Sequence, residues 1–161
     1  MRRYPRFRPP VTLFHFTALA LFLSCLGLSL PAHAGLGDKA SSVTNDNAAM
    51  HGTLRSVENE NYTMHEIAAG NGSVVHEYVS TSGTVFAVTY NGPTMPDFTQ
   101  LLASYSGRLA QAQQNRQARR QPIMIDDSDF VLHVSGRMRA FHVVSYLPAQ
   151  IPAAMRADEI Q

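Results

Sequence analysis

Three short runs decide the fold: Tyr62-Thr63-Met64-His65-Glu66-Ile67, Ser73-Val74-Val75-His76-Glu77-Tyr78-Val79 and Thr84-Val85-Phe86-Ala87-Val88-Thr89-Tyr90. Each is rich in β-branched and aromatic residues, which fit a pleated, half-buried surface. Each is also bounded by residues that bend a chain. Gly70-Asn71-Gly72 separates the first two runs, Ser80-Thr81-Ser82-Gly83 the next two, and Asn91-Gly92-Pro93 ends the third. Connections this short predict an antiparallel meander, because parallel neighbours need a crossover of a dozen or more residues.

Beyond Pro93 the apolar period changes. Phe98, Leu101, Leu102, Tyr105 and Leu109 recur at i, i+3, i+4, i+7 and i+11, one stripe of a helix laid on a sheet. The spacing predicts a helix over Pro96 to Ala112, with Thr94 and Asp97 as its N-terminal cap pair and Pro96 in its first turn. Gly107 weakens its middle. From Gln113 to Gln121 no large apolar residue continues the stripe, and the segment reads as a frayed end or loop. Two further strands follow, Phe130 to Ser135 and Arg139 to Leu147, with Gly136-Arg137 at the turn. Alternation then places Phe130, Leu132, Val134, Phe141 and Val143 on the buried face. The expected fold class is α+β: an antiparallel sheet of about five strands, arranged as a three-strand meander, a helix and a β-hairpin, with one amphipathic helix packed on one face.

The flanks differ in material. Arg2, Arg3, Arg6 and Arg8 form a basic head, an apolar run covers Val11 to Leu30, and Pro31-Ala32-His33-Ala34 follows. That order is expected of a secretory signal peptide over residues 1–34, cleaved after Ala34 so that Gly35 becomes the first residue. A further polar segment, residues 35–60, holds one short helical patch at Ala48-Ala49-Met50 for which Asp38 is the cap. Residues 61–147 form the α+β domain, and 148–161 a tail. Removing the leader leaves 127 residues, with nine basic residues against twelve acidic ones, about −3, and takes away the single cysteine. The domain therefore has no disulfide and no thiolate metal cage, and its stability rests on its core.

Candidate chemistry lies mostly on the strands. Counting positions through the turns places His65 and His76 on one face of the first hairpin, and His133 and His142 on the polar face of the last. Imidazoles paired across strands can hold zinc or copper, with Glu66 and Glu77 beside two of them. Neither His-Glu pair extends to a zincin spacing, since Ala69 and Ser80 stand where the second histidine belongs. Asp126-Asp127-Ser128-Asp129 lacks the glycine and distal glutamate of a calcium loop and reads as a solvated turn. There is no nucleophile elbow, phosphate loop or cofactor motif, so no metal and no cofactor is expected. Arg116, Arg119 and Arg120 are a basic cluster. In an exported chain their natural target is an anionic envelope surface, and nucleic acid is not expected.

The order of these motifs resembles that of a family of uncharacterised exported proteobacterial proteins, domain of unknown function 2844. The likeness rests on Gly35-Leu36-Gly37, Tyr62-Thr63-Met64-His65-Glu66, His76-Glu77-Tyr78-Val79, Gly83-Thr84-Val85-Phe86-Ala87-Val88, Gly92-Pro93 with Pro96-Asp97, Leu101-Leu102 with Tyr105, and Arg139-Ala140-Phe141. Similar sequences carry a tryptophan near Tyr90, where this chain departs. The resemblance implies a Gram-negative source and a periplasmic or secreted location, and it brings no assigned catalytic residue. The expected function is a non-enzymatic binding or interaction protein of the cell envelope, whose partner is an envelope protein or polymer. The alternative is an envelope metal-binding protein or hydrolytic enzyme using the strand histidines.

Overall fold

A computed structural model of the chain describes residues 35–115 and 122–160. The leader with Ala32 and Ala34, and the cluster Arg116, Arg119 and Arg120, lie outside the described residues.

The meander and the hairpin are present, within a larger sheet. A helix, α1 (Val43–Met50), leads into β1 (Thr53–Glu58), β2 (Tyr62–Ala68), β3 (Val74–Ser80) and β4 (Val85–Gly92). After β4 come α2 (Phe98–Leu102) and α3 (Ser106–Gln114), then β5 (Ile123–Asp126), β6 (Val131–Arg137) and β7 (Ala140–Tyr146). The strands form one open sheet in the order β1-β2-β3-β4-β7-β6-β5, and every neighbouring pair is antiparallel. Seven strands replace the five expected. The two additions are both edge strands, β1 and β5. An edge strand shares fewer apolar contacts, so its sequence carries less apolar signal: β1 offers only Leu54 and Val57 among polar neighbours, and β5 is four residues long.

The expected single helix over Pro96 to Ala112 is two helices. Asp97 caps α2 as anticipated, its carboxylate accepting from the N–H groups of Thr99 (2.8 Å) and Gln100 (3.3 Å). The helix then breaks at Ala103, which has φ +46° and ψ −119°. The break has a partner: the Leu101 carbonyl accepts a hydrogen bond from the N–H of Leu36 (3.1 Å), so the start of the domain satisfies a group that a continuous helix would use internally. The apolar stripe survives, with Leu101, Leu102 and Leu109 all buried. Replacing Asp97 with Ala should cost about 1 kcal/mol, the usual worth of an N-cap, and a denaturation midpoint would show it.

Two cores cover the two faces of the sheet. On the first face, α1, α2 and α3 with Leu36 pack on Ile67, Val75, Val79, Val88, Tyr90, Leu132, Val134 and Val143. On the second, the C-terminal segment lies as a strap whose Ile151, Met155 and Ile160 join Tyr62, Met64, Tyr78, Phe86, Ala87, Val144 and Tyr146. A bulge makes the second core. Tyr78 pairs with Ala87 and Val79 with Val85, so Phe86 is an extra residue in its strand and packs beside Ala87 on the strap side.

Two local expectations change. The helix α1 has Ser42 at its cap position, four residues beyond Asp38. The last hairpin turns at Met138-Arg139 rather than at Gly136-Arg137, because pairing continues through Arg137 and Ala140. Gly136 permits this: a side chain there would collide with the Ala140 carbonyl.

Candidate functional site

The register decides which candidate residues meet. Across β2 and β3, His65 pairs with Glu77 and Glu66 with His76. His65 and His76 therefore lie on opposite faces, contrary to the expectation that they share one. The reason is the β2–β3 connection, Ala69 to Ser73, whose odd length pairs positions of like parity. The last hairpin has a two-residue loop, and there His133 and His142 do share a face, the strap side of the sheet.

On the helix side, Glu77 is fully buried beneath α1. Burial pushes its carboxyl up to about 9, and a hydrogen bond with Asp46 of α1 adds to the rise. Glu77 is thus held neutral at pH 7 beside Asp46, which accepts from Gln100 Nε2 at 2.7 Å. This pair ties α1 and α2 to the sheet, and no ligand reaches it. His65 lies on the same face with Nδ1 2.7 Å from Ser56 Oγ, and burial lowers its pKa.

The strap side carries the other histidines. His76 stands between Glu66 Oε2 (3.3 Å from Nε2) and Thr89 Oγ1 (3.5 Å from Nδ1). The order carboxylate, imidazole, hydroxyl resembles a nucleophilic arrangement, but Thr89 is fully buried, so its hydroxyl cannot meet a substrate. His133 Nε2 lies 2.6 Å from Asp126 Oδ1, and His142 Nδ1 lies 2.6 Å from Asn91 Oδ1. Each histidine has a different partner. Among the described residues, no three His, Cys, Asp or Glu side chains gather to hold a metal.

At one end of the sheet, lined from the strap side by Val74, Asn91 and His142 and from the helix side by Gly92 and Phe141, lies a cleft. Its volume is about 490 Å³, and it runs between the β2–β3 turn, the end of β4 and the last hairpin. Val74, Pro93, Ala140 and Phe141 give it apolar walls, and Asn91, Arg139 and His142 its polar side chains. No carboxylate lines it among the described residues. Below it, Ser73 Oγ and Tyr90 Oη meet at 2.8 Å, and Tyr90 donates to the Thr94 carbonyl at 2.6 Å. Gly92 admits this arrangement, since a side chain there would strike the Tyr90 hydroxyl and Ser73. Arg108, by contrast, is occupied: it is 2.5 Å from Asp129 Oδ2 and lies over the stacked rings of Tyr105 and Phe130.

Of the candidate chemical residues named from the sequence, His142 alone lines the cleft, and no binding role was expected of Arg139, Asn91 or Val74. A signal was present in Arg139 at the start of the expected strand, but the predicted turn lay two residues too early to place it in a loop. No helix among the described residues is long and apolar enough to cross a membrane. A family described as protein of unknown function, DUF2844, matches the chain over residues 32–160. No curated protein and no solved structure matches it.

Proposed function

The chain belongs to the DUF2844 family of proteins of unknown function, and on that premise we propose that it is an exported, non-enzymatic binding protein whose site is the cleft at the open end of the sheet. The cleft carries the reading. It has the size of a small-ligand site and the usual make-up of one, apolar walls with a few polar groups. The residues that could act chemically support binding rather than turnover: Glu77 is sealed under α1, Thr89 is buried, and the histidines are dispersed on separate partners. The location in the periplasm or outside the cell follows from the basic head, the apolar run and the Ala32-His33-Ala34 step.

Two measurements test this. Expressed with its own leader in a Gram-negative host, the chain should appear outside the cytoplasm with an intact mass that begins at Gly35. A cytoplasmic product of full length would end the export reading. The binding reading predicts that a small-molecule screen against the exported protein returns ligands which perturb the resonances of Val74, Ala140 and Phe141. Hits confined to other surfaces would remove it.

A further inference from the structure

We propose that the cleft is an anion site, taking an amphiphile whose carboxylate, phosphate or sulfate-like head sits between Arg139 and His142 while its apolar body lies on Val74, Pro93 and Phe141. The proposal rests on the binding reading above and deepens it by naming the ligand class.

Three observations lead to it. First, the charge of the lining is one-sided, with one guanidinium and no carboxylate. A guanidinium offers a planar fork of donors that matches the oxygens of such a head. Second, the Asn91 amide as placed selects one tautomer of His142. Its Nδ1 faces Asn91 Oδ1, which only accepts, so Nδ1 carries the hydrogen and Nε2 is left for a ligand. Neutral Nε2 repels an anion's oxygens by its lone pair, whereas protonated Nε2 donates to them. Anion binding should therefore draw a proton onto His142. Third, Arg139 sits in the left-handed region, φ +66°, at a turn position where glycine would be free of strain. A strained backbone at a residue whose side chain lines a cleft points to use of that side chain.

The groups around His142 set the background for this proton. Arg139 adjoins it, Arg137 and His133 share its face from β6, and β4 presents neutral Asn91 and Thr89. His133 already has Asp126 as its partner.

The test uses 1-octanesulfonate, whose charge is constant with pH, octyl glucoside as a neutral amphiphile of the same chain length, and inorganic sulfate as a head without a body. The exported protein is titrated with each, below micelle concentration and at fixed ionic strength. Octanesulfonate should bind, and about tenfold more weakly at about pH 8 than at about pH 5.5. Inorganic sulfate and octyl glucoside should both bind more weakly than octanesulfonate. Arg139→Gly removes the cation and relieves the backbone, so its melting temperature should hold or rise while octanesulfonate affinity drops about tenfold or more. His142→Gln should flatten the pH dependence. Octyl glucoside binding as well as octanesulfonate, or an unchanged affinity in Arg139→Gly, overturns the anion site and leaves the binding reading standing. Sulfate binding as well as octanesulfonate removes the apolar half of the ligand. If none of the three binds, the anion site is overturned, and the binding reading is decided by the small-molecule screen.

Discussion

Stability should fall by about 3–4 kcal/mol as pH rises from about 5 to about 8, and Glu77→Gln should remove most of that slope. The Glu77 carboxyl is raised from 4.5 to about 9 by burial and by Asp46. Between those values the folded chain holds a proton that the unfolded chain has released. The contribution is fully present below the unfolded value and is lost as pH rises through the folded one, at about 1.4 kcal/mol per unit. His65 works with the opposite sign. Burial lowers its pKa, so the unfolded chain takes up a proton first on acidification, and this opposes the Glu77 slope near pH 6. Comparing the parent chain with Glu77→Gln cancels the histidine. Glutamine keeps the shape and carries no charge, so the variant should be the more stable chain at pH 8. Urea denaturation across the pH range decides it, and parallel profiles for the two proteins would show that Glu77 is ionised when folded.

Phe86→Ala should cost about 3–5 kcal/mol, the range for emptying a buried phenylalanine site, and should also free the strap. Phe86 is wholly buried, with ring centroids 6.3 Å from Tyr62 and 6.1 Å from Tyr78. It is also in the cluster that holds Met155 and Ile160. Its loss should therefore speed tryptic cleavage at exposed Arg156, which lies between those two anchors, under conditions where the rest of the domain is folded. Phe130→Ala is the control: equally buried, but in the helix-side core, it should lower stability without that selective cleavage. Equal cleavage rates in the two variants would mean that the strap does not depend on Phe86.

The central strands were legible because both of their faces are covered, so long runs such as Val85 to Tyr90 had to be apolar or β-branched. The edges were not. In β1 a sequence like Thr53-Leu54-Arg55-Ser56-Val57-Glu58 buries too little to stand out from a loop. The helix break at Ala103 was hidden because alanine gives no hint of a left-handed backbone, and because its cause, the Leu36 N–H, lies more than sixty residues upstream. Glu77 read only as a carboxylate beside a histidine, whereas α1 covers it and supplies Asp46 from a segment of unremarkable polarity. The histidine pairing failed on one residue of loop length, since alternation turns a single miscounted position into the wrong face. The packing of the tail was hidden because its anchors, Ile151, Met155 and Ile160, are too widely spaced to form a periodic pattern. The cleft needed the true turn at Met138-Arg139 before its cation could be placed.

The strand order has a consequence for timing. The middle of the sheet is the pairing of β4 with β7, which joins Ala87 to Tyr146 across almost sixty residues. The meander alone leaves one side of β4 unpaired, and the strand that completes it, β7, is the last of the described strands. Non-local pairings of this kind are slow to form, because the intervening chain must be closed before any contact rewards it. A nascent chain therefore stays unlocked until its final strand is available. Under the export proposed above, that delay would keep the chain threadable during the crossing.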